Sequence, residues 1–329
     1  MHPVNTMKNR ISIGLTLASR GVLYDLTTAK ELVETAETAD QSGLFDRVWV
    51  GDSLIGNPRL ESITLLAAIA SRTKRVTLGT ACMASTALRD PVLLATQWAS
   101  LDMLSEGRTT LVVCGGGGIS PNKAAEARYY KIAGAKQRYG RLVEAMQILR
   151  RLWSEDNVTF KGEHFQLDDV SIGIRPSQKP TIPIWLASDT PAESGLRRVA
   201  RYADGWMSAA LSPEEFHARW QRILTYAGEY GRSTEGFGNI LYHNIHVTEK
   251  RDEAYAESKR FLAKYYGQEW SDEVLKHWLI CGTPDECVAQ LRQWRDAGLK
   301  DITLRLTSWD QPGQLKRCIE EVLPRVNTP

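Results

Sequence analysis

Short, mostly apolar segments recur eight times along this chain, near residues 11–18, 46–52, 75–81, 108–114, 183–187, 204–208, 239–247 and 301–306, with amphipathic helical stretches between them. Strands covered on both faces read as near-continuous apolar runs, and such strands alternating with helices build a parallel sheet. The helices carry their own signature. In 138–153, Leu142, Ala145, Met146, Leu149, Leu152 and Trp153 fall on one face at i, i+3, i+4 spacing. Helix starts share one grammar in Thr190-Pro191-Ala192-Glu193, Ser212-Pro213-Glu214-Glu215 and Thr283-Pro284-Asp285-Glu286. A hydroxyl caps an orphan N–H, proline takes the first helical position, and glutamate closes a capping box. Asp90-Pro91 and Thr28-Ala29-Lys30-Glu31 are partial versions, and Gly43 and Gly298 stand where helices should stop before a strand.

Eight such units predict a closed (β/α)8 TIM barrel, one domain over 1–329. A doubly wound sheet would be expected to carry Gly-x-Gly-x-x-Gly after an early strand, and the chain has no such spacing. Its 329 residues suit a barrel of about 250 residues carrying insertions. Two stretches break the rhythm: a polar, Pro- and Gly-punctuated insert at 154–182, before the fifth strand, and a charged, aromatic-rich helical insert at 249–282, before the last helix-strand unit. Each could cover the active site or serve surface packing and dimerisation.

The net charge of +2 gives no reason to expect nucleic acid or an anionic membrane as partner. No run of about 18 apolar residues exists, so no membrane span is expected. The first ten residues lack the apolar region of a secretory signal. Five cysteines, Cys82, Cys114, Cys281, Cys287 and Cys318, are scattered without metal-ligand spacing or a disulfide framework, so a reducing, cytoplasmic location is expected.

Barrel enzymes place their chemistry just after the strands. There the chain offers Asp52 after strand two, Cys82 after strand three, Cys114-Gly115-Gly116-Gly117-Gly118 after strand four, and Ser188-Asp189-Thr190 after strand five. The glycines permit close backbone approach to a ligand, or form a flexible turn. The passage from strand into helix at 187–193 is suited to phosphate, through free N–H groups and the helix dipole; simple capping is the alternative, and the Asp189 charge would repel an anion unless it points away. Asp52 could be a general base, a ligand acceptor or an N-cap. Cys114 could line the site or act as a small buried hydrophobe. His243 and His246 lie on opposite faces of one strand, so one of them can point into the barrel. No nucleophile triad or metal cluster emerges from the spacing, which fits a cofactor that brings its own chemistry.

The segments AETADQSGLFDRVWVGDS, TLLAAIASRTKRVTLGTACM, RDPVLLATQWASLDMLSEGRTTLVVCGGG, KQRYGRLVEAMQILRRLW, FKGEHFQLDD, IPIWLAS, RRVARYADGW and CGTPDECVAQLRQWRDAGLKDITL carry a resemblance over nearly the whole chain. It resembles the bacterial luciferase-like flavin oxidoreductases, which include FMN-dependent monooxygenases and deazaflavin (F420)-dependent enzymes. The resemblance implies a non-proline cis peptide at Ala81–Cys82 supporting the flavin ring, and a strand-four end, Cys114-Gly115-Gly116, beside the ring or ribityl chain. It implies a cofactor phosphate held by Tyr139 and by Asp189-Thr190, with Asp189 in place of the family's usual serine or glycine. With the glycine run and Ser188, these residues outline one expected phosphate site. Luciferases carry a histidine after strand two, where this chain has Asp52-Ser53, so luciferase activity is not implied. Asp52 resembles the aspartate found near the ring in deazaflavin users.

The leading expectation is a two-component monooxygenase. It would use FMNH2 supplied by a flavin reductase in trans, with O2, to oxygenate a small organic substrate. The alternative is F420-dependent hydride transfer. A third reading is a non-catalytic barrel subunit of a hetero-oligomer. The resemblance also implies a homodimer or larger homo-oligomer.

Overall fold

The computed structural model describes residues 10–118, 120–190 and 192–328. The N-terminal residues 1–9, read above for a signal, and Pro191 of the expected cap lie outside the described residues. The strands, in chain order, are β1 (Ser12–Leu17), β2 (Arg47–Val50), β3 (Thr77–Thr80), β4 (Thr109–Val113), β5 (Val158–Lys161), β6 (Gln166–Val170), β7 (Ile184–Ala187), β8 (Gly205–Ala209), β9 (Gly238–Val247), β10 (Leu279–Gly282) and β11 (Asp301–Leu306).

Eight of them run parallel in the order β1-β2-β3-β4-β7-β8-β9-β11, and β11 pairs back onto β1. This is the closed (β/α)8 barrel the alternation predicts. The 154–182 insert forms the antiparallel β5–β6 hairpin. The 249–282 insert forms helices Arg251–Tyr266 and Asp272–Lys276, then β10, which extends the edge of β9 in parallel. β10 is a strand the sequence reading missed: four residues between a helix and a capping box are too short to show a period.

The helix signals are realised with one exception. Thr28, Ser212 and Thr283 make complete capping boxes, and Asp90 accepts from the Val92 and Leu93 N–H groups. The helix expected to start at a Thr190 cap is instead Glu193–Tyr202, with Ala192 at the N-cap position and no side-chain cap. Thr190 Oγ1 accepts from the Ala192 N–H at 3.2 Å, two residues too early to cap the helix. The first N–H groups of that helix are therefore left without a side-chain acceptor, as a ligand site requires.

Side chains alternate inward and outward along each barrel strand. The outward set, with the buried faces of the helices, forms the main core, from Ile13 and Leu15 through Leu304 and Leu306. The inward set forms a plug of Trp49, Val112, Trp185, Met207 and Ile240. Arg47 packs against this plug on the N-terminal side, 5.4 Å from the Trp185 ring, and pairs with Asp301 at 2.9 Å.

Candidate active site

The inward residues that follow the plug, two positions further along each strand, are small on one side of the barrel: Gly51, Ala81, Cys114, Ala187 and Ala209. Large rings thus lie beneath small residues at the C-terminal mouth.

Strands β3 and β4 supply one wall. The Ala81–Cys82 peptide is cis, as the family resemblance implies. Met83 N–H donates to the Val112 carbonyl at 2.7 Å, and Thr80 Oγ1 donates to the same oxygen at 2.8 Å. Cys82 and Cys114 form a disulfide, with Cα atoms 5.9 Å apart. This corrects the expectation of unpaired cysteines. Their separation of 32 residues conceals that they end neighbouring strands. Cys281, Cys287 and Cys318 are free and buried.

The glycine run is a built close approach rather than a loose turn. A Cβ on Gly115 would stand 2.9 Å from the Tyr139 hydroxyl, and Gly116 turns at φ 59° against the Ala84 carbonyl. Tyr139, Thr190, Ser194, Lys136, His164 and Arg198 line a cleft of about 610 Å3. The Arg198 guanidinium covers the Tyr139 ring at 4.1 Å. Arg138 is buried beside Gly117, and its Nη1 has no hydrogen-bond partner. A buried donor without a partner is costly, so Arg138, next in sequence to the cleft residue Tyr139, leaves an unmet demand for an acceptor beside Gly117. The β5–β6 hairpin closes one side: Glu144 accepts from the Glu163, His164 and Phe165 N–H groups at 2.7–2.9 Å. That insert therefore borders the site.

Asp189 turns away from the cleft. Its carboxylate accepts from the Ala209 N–H at 2.8 Å, and its carbonyl accepts from Arg219. Although the residue as a whole is exposed, desolvation of the carboxyl pushes its pKa up to about 6, against the pull of the Ala209 bond and Arg219. Held on the Ala209 N–H, the carboxylate points away from the cleft. Ser188 sits behind the cleft, its hydroxyl 2.9 Å from where a Cβ on Gly195 would lie.

Asp52 does not open onto the lumen. Trp49 and Gly51 take the inward face of this strand end, and Asp52 takes the other. It is buried and accepts from Ser62 Oγ (2.8 Å), the Ser85 N–H (2.8 Å) and Arg89 Nη2 (3.2 Å). Arg89 also binds Glu61 at 2.7 Å. The carboxylate thus ties the end of β2, the helix Ser62–Ala70 and the turn after the cis peptide together. Nor is either strand-nine histidine open to the site. His243 packs outward against Trp294, and burial drops its pKa to about 4. His246 shares the inward face but is covered by the helix Arg251–Tyr266, where it meets Ser258 at 3.2 Å.

That helix roofs the far side of the mouth with aromatic residues. Tyr265 and Tyr266 pack with Tyr242 and Trp278, and Tyr242 Oη meets Tyr266 Oη at 3.2 Å. Arg305, on the inward face of β11, is fully buried among them, with its guanidinium 4.2 Å from the Tyr265 ring centre and Nη1 donating to Tyr266 Oη at 2.5 Å. Sequence reasoning missed Arg305, Arg138 and Arg198. Arg305 had a readable signal, a cation inside the apolar strand Asp301–Leu306.

Three comparisons bear on this arrangement. A family model described as luciferase-like monooxygenase matches residues 10–301. Among curated proteins, the F420-dependent glucose-6-phosphate dehydrogenase of Amycolatopsis mediterranei is 28% identical over 90% of this chain and 94% of its own length. The protein of that name from Intrasporangium calvum is 30% identical over the same shares. Among solved structures, an F420-dependent secondary alcohol dehydrogenase bound to an F420–acetone adduct superposes with a TM-score of 0.81 at 20% identity, over 96% of this chain and 99% of that one. The monooxygenase RslO1 from Streptomyces bottropensis does so at 0.78 and 23% identity, over 95% and 99%. At these identities the structural matches speak to the fold.

Proposed function

The chain belongs to the luciferase-like monooxygenase family and is an oxidoreductase of that family; within it, we propose that the chain is an F420-dependent dehydrogenase. The observation that carries this reading is the likeness, across nine-tenths of the chain, to relatives named F420-dependent glucose-6-phosphate dehydrogenases. It takes precedence over the FMNH2-dependent monooxygenase expected from the sequence, and with it the requirement for O2 and a reductase in trans falls away.

The residues in and beside the cleft fit a phosphate-bearing cofactor. Arg138 offers an unpartnered buried donor, the glycine run removes side chains, and the helix Glu193–Tyr202 presents uncapped N–H groups. Thr190, Ser188, Tyr139 and Arg198 would complete the phosphate contacts, with Gly115, Gly116 and Gly117 passing alongside. Ala81, Cys82 and Cys114 would border the ring. When bound, a deazaflavin supplies two-electron hydride chemistry. The plug closes the lumen beneath it, and the roof formed by the helix Arg251–Tyr266 shields the mouth from water.

Parallel equilibrium titrations with F420 and FMN, followed by anaerobic assay of F420 reduction against alcohols and sugar phosphates, test the proposal. F420 binding with substrate-dependent reduction is the expected result. FMN binding without F420 binding, together with oxygen uptake when FMNH2 is supplied, would overturn it.

A further inference from the structure

On the wall opposite the phosphate cleft, three arginines gather around Tyr265. The cleft lies at the ends of β4 and β7; in barrel order the wall formed by β11, β1 and β2 stands across from it. Arg305 comes from β11, Arg20 follows β1, and Arg59 follows β2. Arg20 donates through its backbone N–H to Tyr265 Oη at 3.3 Å and through Nη1 to the Tyr265 carbonyl at 2.5 Å. Arg59 donates through Nε to the Asn57 carbonyl at 3.1 Å, and its Nη1 occupies the space that a Cβ on the inward-facing Gly51 would fill.

Among the described residues, none of the three pairs with a carboxylate, although seventeen other basic side chains do. The Nε atoms of both Arg20 and Arg305 are buried without any hydrogen-bond partner. Arg305 is 1% exposed, so its charge is almost wholly removed from water. Buried guanidinium groups are ordinarily paired with an anion, because desolvation of a lone charge is unfavourable. The tyrosine rings compensate by cation–π contact, yet they accept nothing from Nε. The combined charge is felt at Tyr265: burial would raise its pKa, but Arg305 and Arg59 outweigh that effect and lower it. What the cluster lacks is an oxyanion. Guanidinium forks suit the oxygens of a phosphate or carboxylate.

We propose that Arg20, Arg59 and Arg305 form a substrate-recognition site that selects compounds carrying an oxyanion group, phosphate or carboxylate. The inference rests on the proposed dehydrogenase reading only in assigning that anion to the substrate. The cofactor phosphate and the substrate anion then occupy opposite walls of the mouth, with the reacting carbon between them above the small-residue wall. A neutral alcohol or sugar of the same shape would leave the three cations uncompensated.

The test is calorimetric titration of the protein, with F420 present to fill the opposite cleft, using inorganic phosphate, citrate and glucose 6-phosphate, with glucose as the neutral control. Saturable binding of at least one anion and none of glucose is expected, and the preferred anion separates a phosphate from a carboxylate site. Arg59→Gln and Arg20→Gln, both partly solvated positions, should each weaken that binding by about tenfold or more, while the surface substitution Lys30→Gln leaves it unchanged. Arg305→Met should do the same where its circular dichroism and melting match wild type; the first two variants decide the matter if it does not fold. Wild-type protein that takes up no anion with F420 bound, or Arg59→Gln and Arg20→Gln that bind it undiminished, would overturn the proposal. So would a parallel loss of F420 affinity in these variants, which would assign the cluster to the cofactor. If F420 itself does not bind, the dehydrogenase reading fails separately. The same titration without cofactor still reads the site, because phosphate uptake at the opposite cleft is insensitive to Arg59 and Arg20.

Discussion

The Arg198 guanidinium lies 4.1 Å from the centre of the Tyr139 ring and holds the phenol against the backbone of Gly115. A cation over an aromatic face at a partly exposed site contributes roughly 0.5–1 kcal/mol. The stack therefore orients a hydroxyl donor and a positive charge toward the same cleft as the uncapped start of the helix Glu193–Tyr202. If the cofactor phosphate sits there, Ser188→Glu should weaken binding of the phosphate-bearing cofactor by about tenfold or more, by placing a negative charge where the dipole end favours an anion. Tyr139→Phe should weaken it by the loss of one hydrogen bond, about 1 kcal/mol. Fluorescence titrations should show both variants binding a phosphate-free form of the cofactor nearly as well as wild type does. Equal losses for the two forms would place the phosphate elsewhere.

Asp52 is predicted to matter for stability. Its side chain is 1% exposed and its partner Arg89 12% exposed, so the pair is shielded from solvent screening. Removing one member of a buried pair costs about 3–5 kcal/mol. Arg89 keeps Glu61, which places Asp52→Ala at the lower end of that range. Denaturant unfolding should show the midpoint falling without a change in slope. A variant as stable as wild type but inactive with its substrate would instead assign Asp52 to the chemistry.

The difference between what the sequence disclosed and what it concealed follows from the range of the interactions. The barrel was legible because each β/α unit carries local signals: apolar strands, the face of Leu142, Met146 and Leu149, and capping boxes at Ser212 and Thr283 closed within three residues. The strand-end candidates were legible through the rule that barrel chemistry follows the strands. Pairings across the barrel were not. Cys82 finds Cys114, Asp52 finds Arg89, and Arg305 finds Tyr265 only after the strands close. Orientation was lost as well, since one residue of register decides whether Asp52 or Gly51 faces the lumen. Thr190 misled because a hydroxyl-Pro-x-Glu string looks the same whether the hydroxyl caps the helix or stops two residues short.

Burial of His243 gives the fold a pH dependence. Its pKa is lowered from 6.5 to about 4 by desolvation, opposed by its bond to the Asn244 backbone. The folded state therefore keeps the imidazole neutral where the unfolded chain takes up a proton. Stability from this group is fully present above pH 6.5 and is lost progressively as pH falls toward 4, by about 3 kcal/mol in all. Asp189, with its raised pKa, acts in the opposite sense within the same window, so the total slope mixes the two. His243→Phe, which keeps a ring against Trp294, isolates the first. Urea unfolding across this range should show a shallower decline in the variant. Identical slopes would mean that the imidazole is solvated or already protonated in the folded protein.

The helix Pro91–Leu104 buries Leu94, Ala95, Trp98, Ala99 and Leu101 against the barrel, yet it is apolar on its outer side too. Leu93 is 57% exposed, Leu104 66% and Met103 50%. Leu93 and Leu104 stand about three turns apart and so share a face, with Met103 beside it. A clustered set of large exposed apolar side chains suits an association surface. About half of each side chain remains to be buried, so covering each would contribute roughly half of the 1.5–3 kcal/mol of full burial. Self-association through this helix is therefore expected. Sedimentation should give a mass at least twice the 36.9 kDa of one chain. The double variant Leu93→Glu, Leu104→Glu should sediment as a monomer with unchanged circular dichroism, because neither side chain reaches the core. Wild-type protein sedimenting at the single-chain mass at micromolar concentration would sink the idea, and a double variant that still dimerises would move the interface to another face.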